Sequence, residues 1–563
     1  MKECSRKQLE FIRTQAKQKF DKVRMTMIDC GRWALPHRTK YLLSQTPGER
    51  TNQHIVDATH VLALRSFVAG FLEGNTSATR PWYRSGTTDP DINANPTNHM
   101  WLDKFTRRTL QVLSSSNFYH AAGEFYYDYG VFNTGAHYIE ELETGLFFHT
   151  LIPGSYFVIN NAYGVADIMV REFQLNVKSV VDQYGEKKNG KVDWSNISSH
   201  VKKMYDDSNY SEMVDIVHVI KPNPDFDPAK EQVLLNRQWI SYTYEVGGSY
   251  SYAQGVAAMD PEDDAKFLRK SASKRKPFIV GKSHSNGFEY GEKGPTLDAL
   301  GCIKSLNKKA IGKDIALELM LRPPSQGPAN LRKSYIAQSA GTYVPQDAQA
   351  LKAGGIRPMF EVNPAINPLI QDVTDLRQMV DKLYYADYLL YLSRNPKTRT
   401  ATETNAIVQE QQLIIGPNLQ SLNWTYNQPV IEFVMDYVLF SDPWIDQNPP
   451  PEELTGNFLR PDFISVFAQA QKAADLPAID RAFDRFSEIA QINPSIWDKV
   501  NLDKLAELYE DRLFLPAGLI NEQSKVEAMR EQAQAQAQQQ QMMQETIPAM
   551  AGAGKDLGLS LKA

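Results

Sequence analysis

The sequence predicts an α+β protein assembled from several units, and three observations carry that prediction. Helical periodicity fills the first 130 residues. Short β-branched and aromatic runs separated by Gly, Pro and Asn turns fill about 135–290. Two long helices then bracket an insertion rich in Pro, Gly and Ala at 323–365. At 563 residues the chain is long enough for about three to five domains, so a single core is not expected.

Residues 6–30 read as a charged amphipathic helix. Asp57 is placed to cap a helix over 58–73, whose Val61, Leu64, Phe67, Val68 and Phe71 follow a helical period and which Gly74 can end. A turn-rich stretch, 74–98, leads to a helix near 99–114, and Ser114-Ser115-Ser116-Asn117 opens another carrying Phe118, Phe125, Tyr126 and Tyr129. Strands are expected around 137–139, 146–148, 156–159, 165–170, 213–220 and 239–244, with a helix near 175–184 inserted.

Pro295 in a first turn and Pro323-Pro324 as a stop mark a helix over 295–321, roughly 40 Å long. Asn367-Pro368 opens a second that continues to about Leu392, giving two helices of matched length around the insertion. A basic loop, 394–400, follows, and then helices to about 415 and over 417–440. Beyond a proline-rich linker, 443–461, helices are expected at 462–476, 478–491, 494–499 and 502–512. The Ala/Gln-rich tail lacks a seam of large apolar residues, so it is either disordered or a helix that orders only beside copies of itself.

Composition excludes several functions. The three cysteines, Cys4, Cys30 and Cys302, are too scattered for a disulfide framework or a zinc site. No apolar run is long and uninterrupted enough to predict a signal core or membrane span. With 61 basic against 66 acidic residues the net charge is -5, so no global basic field attracts nucleic acid and any contact must be local. Gly185-Glu186-Lys187-Lys188-Asn189-Gly190-Lys191 has phosphate-loop spacing, but Val192 replaces the magnesium-binding hydroxyl and a helix precedes it, so it reads as a charged turn. Neither Glu262-Asp263-Asp264 nor the ten histidines have metal-ligand spacing. Catalytic residues, cofactors and metals are expected to be none. Tyr126, Tyr127 and Tyr129 read as core, and the run Lys266, Arg269, Lys270, Lys274, Arg275, Lys276 as a solvated stretch before a strand.

One charged region points further. Lys304/Lys308 and Lys309/Lys313 are like-charge pairs one turn apart, which repel by a few tenths of a kcal/mol, so a compensating group outside the helix is expected. Arg394, Lys397 and Arg399 add charge near the end of the second helix. On an isolated chain these residues form a solvated face; on a ring they would repeat around a pore.

Several stretches, in order, resemble the head-to-tail connector (portal) proteins of short-tailed bacteriophages. They are Arg65-Ser66-Phe67-Val68-Ala69-Gly70-Phe71-Leu72, Thr79-Arg80-Pro81-Trp82-Tyr83, Ser116-Asn117-Phe118-Tyr119 and Val131-Phe132-Asn133-Thr134-Gly135. Ile152-Pro153-Gly154-Ser155-Tyr156, Asn161-Ala162-Tyr163-Gly164, Arg171-Glu172-Phe173, Gly294-Pro295-Thr296-Leu297-Asp298-Ala299-Leu300 and Thr400-Ala401-Thr402-Glu403-Thr404 continue the series. The resemblance implies a portal-protein fold: a wing at 1–294, stem helices at 295–322 and 366–393 around a small α/β clip at 323–365, and a channel loop at 394–400. Wing helices would return over 401–442, followed by a crown at 443–515 and a barrel helix or disordered tail at 516–563.

It further implies a homo-dodecamer at one capsid vertex of the virion, assembled in the host cytoplasm, through which double-stranded DNA is packaged and ejected without sequence specificity. The implied partners are the terminase large subunit, a tail adaptor, and the major capsid and scaffolding proteins, with no membrane. Lys304, Lys308, Lys309, Lys313, Arg394, Lys397 and Arg399 are the candidates for channel-facing charge. A packaging ATPase would need a working phosphate loop, and a tail adaptor or internal scaffold would lack the stem–insertion–stem layout.

Overall fold

A computed structural model describes residues 4–43, 48–143, 145–185, 187–188, 191–230, 236–246, 266–283, 289–321, 325–328, 343–346, 357–358, 366–386, 414–464, 476–490, 504–505, 509, 526, 529–533 and 536. The chain divides into two units, Met1–Trp82 with Thr109–Asp442, and Tyr83–Arg108 with Pro443–Ala563.

In the first unit, helix α1 (Arg6–Ala34) begins where the Gln8 side chain accepts from the Ser5 N–H at 3.1 Å and buries Leu9, Ala16, Phe20 and Met27 along one face. Helix α2 (Thr59–Asn75) buries Ala63, Leu64, Phe67, Val68 and Phe71, as its period predicts. Asp57 does serve its start, accepting from the Thr59 N–H at 2.9 Å. In α3 (Phe118–Phe132) Phe118, Phe125, Tyr126 and Tyr129 are all core. Ser116 accepts from the first helical N–H, while Asn117 is used differently: its amide clasps both backbone groups of Phe148 at 2.8 Å, tying the helix to a strand.

The strands follow the predicted region. β1 (Thr134–Leu142), β2 (Gly145–Leu151), β3 (Tyr156–Asn160) and β4 (Ala166–Asn176) precede helices α4 (Val177–Tyr184) and α5 (Ser199–Asp206). β5 (Met213–Pro222), β6 (Trp239–Glu245), β7 (Arg269–Ser273) and β8 (Phe278–Lys282) complete the set. They form an antiparallel five-stranded sheet in the order β7-β6-β5-β4-β3 and an antiparallel three-stranded sheet in the order β8-β1-β2. α4 and α5 bury Val177, Val180, Val181 and Val201 with Ile216 and Leu268 in one apolar cluster. After α4, residues 187–188 pair antiparallel with 191–192.

Several of the quoted motifs turn out to be joints. Glu172 receives Arg13 and Lys17 of α1 at 2.6 and 2.7 Å. Gly154 adopts φ +90, and a Cβ there would lie 3.0 Å from the Tyr41 backbone, so the turn needs glycine twice over. Trp82 stacks on Phe118 with centroids 6.3 Å apart.

The long helices follow: α6 (Pro295–Leu321), as predicted, then α7 (Ile366–Leu383). Between them strand 325–328 pairs parallel to 343–346 and antiparallel to 357–358, which are the described parts of the 323–365 insertion. Residues 414–422 are helical and run through a π-turn, Asn423–Asn427, into α8 (Gln428–Phe440). The π-turn sets Tyr426 on Phe125, ring centroids 3.6 Å apart and 7° from parallel, with its hydroxyl 3.0 Å from His137 Nε2.

In the second unit the strand Tyr83–Gly86 pairs antiparallel with Arg460–Phe463. The helix Pro96–Ser115 belongs to it up to Arg108. There Trp101 stacks on Phe105 at 5.0 Å and donates to the Asn448 carbonyl at 3.1 Å, and the amides of Asn95 and Asn98 hold Glu453 at 2.9 and 2.8 Å. The helix Leu476–Ala490 carries the expected apolar period.

Three expectations are corrected. The second long helix does not run unbroken to Leu392: it ends at Leu383, and Tyr385 turns left-handed at φ 59 because its hydroxyl is held by Asn418 at 2.7 Å while Tyr384 is buried. The helices are therefore not matched over the described residues, α7 spanning about 27 Å. The helix expected from 462 yields to strand at its start, since Arg460–Phe463 finds a partner in the supposed turn region at 83–86. The basic run is not simply solvated. Residues 269–273 are the strand β7, and buried Arg275 bonds Glu141, the Asp436 carbonyl and Ser441.

The segments 262–264, 394–400, 402–413, 465–475 and 494–499, with most of 502–512 and of the tail 516–563, on which expectations were placed above, lie outside the described residues. Among the described residues no helix is long and apolar enough to cross a membrane, and no group of three or more His, Cys, Asp or Glu is placed to hold a metal ion.

Candidate functional site

The pair of long helices α6 and α7 is rooted by residues of two motifs quoted from the sequence. Thr296, fully buried in the first turn of α6, donates to the Gly130 carbonyl at 2.8 Å and meets the Tyr384 hydroxyl beyond α7 at 2.7 Å. Beside it, Asn133 closes α3 in the left-handed conformation at φ 61. A Cβ on Gly294 would collide with the Asn133 side chain, and one on Gly291 with the Asn133 carbonyl. The motifs at 131–135 and 294–300 are therefore two sides of one joint.

About three turns further along, α6 and α7 clasp the segment before α2. Asn307, buried in α6, accepts from the N–H groups of Val56 and Asp57 at 2.8 and 3.0 Å and donates to the Ile303 carbonyl. From α7, Arg377 places Nε and Nη2 on Asp57 Oδ2 at 3.1 and 2.7 Å. Burial pushes the Asp57 carboxyl up, but hydrogen bonds from Thr59 and the Arg377 guanidinium outweigh it and leave the group below its ordinary value. Asn307 is the signal that sequence reasoning passed over: an amide in the apolar period of Ala299, Ile303, Leu306 and Ala310.

The four stem lysines separate onto different flanks. Lys304 Nζ lies 2.5 Å from Asp29 of α1, and Lys309 pairs with Asp372 of α7. These acids supply the compensation expected for like charges one turn apart. Lys313 lies 3.9 Å from its neighbour Asp314. Lys308 is exposed with no ion-pair partner among the described residues, about 160° around the helix from the buried stripe. Arg394, Lys397 and Arg399 lie outside the described residues.

Past Ala310 the buried stripe stops. The outer turns expose Ile311, Ile315, Leu317, Met320 and Leu321, the last 82% exposed, and α7 exposes Ile370 and Met379. The α6–α7 pair is thus anchored in the body at its root and exposes several apolar side chains over its outer turns.

Known proteins resemble this chain over most of its length. The chain is 29% identical over 507 residues to a probable portal protein of Bordetella phage BPP-1, covering 89% of this chain and 86% of that protein. It is 28% identical over 509 residues to the portal protein of Salmonella phage epsilon15, covering 90% and 87%. Among solved structures, a chain from the virion of a native gene transfer agent particle aligns at a TM-score of 0.31 and 12% identity, covering 79% of this chain and 94% of that one. A chain from the neck of an empty particle of that agent aligns at 0.29 and 10%, covering 81% and 95%. A sequence model of one family matches residues 6–520, which include every sheet and both long helices described above, and the chain belongs to that family, the bacteriophage head to tail connecting proteins.

Proposed function

We propose that twelve copies of this portal protein form a ring at one capsid vertex, through which double-stranded DNA enters during packaging and leaves at ejection. The observation that supports this most is the outer stem: Ile311, Ile315, Leu317 and Met320 are exposed on the single chain, and the stems of neighbouring copies would cover them. In this reading 1–294 with 401–442 is the wing, 295–322 and 366–393 the stem, and 323–365 a clip that meets first the terminase large subunit and later a tail adaptor. The 394–400 loop lines the channel, 443–515 is the crown, and 516–563 a barrel helix or disordered tail. Assembly with scaffolding and major capsid proteins takes place in the host cytoplasm, and the ring remains in the virion. No catalytic step is assigned to it.

Electrostatics suit a conduit. Duplex DNA carries one charge per about 1.7 Å, so a stem about 40 Å long surrounds about 24 phosphates. Twelve subunits carry about -60, which repels DNA except where basic rings face it. Of Lys304, Lys308, Lys309 and Lys313, Lys308 is the leading channel charge, because Asp29 and Asp372 already engage two of the others. Arg394, Lys397 and Arg399 would add a second ring. Sparse rings of this kind centre a duplex without reading its bases.

The test is DNA packaging with Lys308→Ser and Lys308→Ser/Lys313→Ser rings checked to be intact. Lower packaged yield with an altered salt dependence supports the assignment, and unchanged yield and salt dependence overturn it.

A further inference from the structure

The sheet region holds a cavity of about 530 Å³ that the proposed conduit does not use. One wall is β7, an edge strand of the five-stranded sheet among the described residues; the other is 138–141 of β1, from its last residue paired with β8 outward. Five cationic side chains line it, Arg237, Arg269, Lys270, Lys274 and Arg275, against the carboxylates of Glu140 and Glu141. In a chain of net charge -5 this is a local basic concentration. Phe440, 74% exposed, stands at its rim.

Two of the guanidiniums are incompletely used. Arg275 is 8% exposed, and its Nη atoms serve Glu141, the Asp436 carbonyl and Ser441, yet its buried Nε has no partner among the described residues. Arg237 donates from Nη1 to the Ala272 carbonyl at 3.2 Å, and its buried Nε is likewise unpaired. Orphaned buried donors are uncommon, because leaving one unmade costs about 1–3 kcal/mol. Basic residues on an edge strand commonly block unwanted pairing, and exposed Arg269, 3.6 Å from Glu140, suits that role. Arg275 and Arg237 lie off the strand itself, and their shielded Nε–H groups are placed instead to receive an acceptor.

We propose that this cavity docks an extended acidic peptide segment of a partner protein, which adds as a strand beside β7 and sets its carboxylates against Arg237, Arg275 and the Arg269/Lys274 rim. The edge of β7 selects a peptide over other anions. Strand addition pairs main-chain N–H and C=O groups in a ladder, and pockets on either side read the alternate side chains. A nucleic acid offers phosphates but no such ladder, and a small anion leaves both the strand edge and Phe440 unused. Alternating acidic and apolar residues would match the cations and the aromatic rim respectively.

The experiment uses the full chain and three fluorescent probes: an octapeptide alternating Glu and Val, its Lys/Val counterpart, and a short DNA duplex. The acidic peptide is expected to bind, to weaken about tenfold or more with Arg269→Glu/Lys274→Glu, and to be unaffected by Lys202→Glu/Lys203→Glu on α5. On the unaltered chain, bound peptide is expected to slow amide exchange at 269–273, a readout that does not depend on any variant folding. Absence of binding, equal binding of the Lys/Val peptide, displacement by duplex DNA, or unchanged exchange at 269–273 would each overturn the proposal.

Discussion

Thr296 and Tyr384 meet through their hydroxyls at 2.7 Å, joining the first turn of α6 to the chain just beyond α7 at the root of the stem. Both are fully buried, and burial pushes the Tyr384 phenol above its ordinary range, so it stays a neutral donor. Thr296→Val keeps the shape but strips partners from the Gly130 carbonyl and from Tyr384. The expected cost is about 1–3 kcal/mol, read from the urea midpoint. No change in midpoint would mean that the root is held by packing alone.

Gly294→Ala tests the other half of that joint. Its Cβ has no room beside Asn133, which is itself constrained to a left-handed turn between α3 and β1. Displacing Asn133 disturbs the bond from the Ser283 N–H to its carbonyl, 2.9 Å long. Destabilisation of about 1–3 kcal/mol or more is expected. Gly301→Ala, where a Cβ meets nothing within 4 Å, is expected to be neutral or mildly stabilising.

Arg38 grips both oxygens of Asp128, at 2.7 and 2.6 Å, in the core beneath α3. Burial pushes the carboxyl up from 3.8 to about 7 against the pull of Arg38, with Glu124 adding to the rise. The folded chain therefore keeps this proton to higher pH than the unfolded chain. Its contribution to stability is fully present below about pH 4 and is lost as pH rises through about 7. Asp128→Asn cannot titrate and should flatten this part of the urea-midpoint profile between pH 4 and 8. Identical slopes for both proteins would refute the assignment.

Cysteine reactivity should follow burial. Cys30 is 1% exposed, and burial together with the neighbouring Asp29 pushes its thiol up to about 12, with Lys304 opposing. Cys302 is only partly buried on α6. Alkylation at pH 8, followed by peptide mass spectrometry, should modify Cys302 well before Cys30. Equal rates would show that the α1–α6 contact opens readily.

Local chemistry made much of the fold legible. Pro295 and Pro323 bound α6 where it is found, and the apolar period of α2 places it within two residues of expectation. What escaped depends on partners far away in the chain. The break after Leu383 comes from Tyr384 reaching Thr296 and Tyr385 reaching Asn418, neither visible in the helical pattern of 366–392. The strand at 460–463 exists because 83–86 pairs with it. The stem lysines were visible as a cluster, but their separation into paired and exposed groups rests on Asp29 and Asp372, 275 and 63 residues distant.

In the proposed assembly these chains close into a ring around a duplex-wide hole, using the exposed apolar side chains of the outer stem. Imaging purified particles by electron microscopy, with no symmetry imposed, tests it most directly. The expected result is twelve-fold rings with an open centre, lost or weakened in Ile311→Asp/Ile315→Asp. Monomers, or closed assemblies without a hole wide enough for double-stranded DNA, would contradict it.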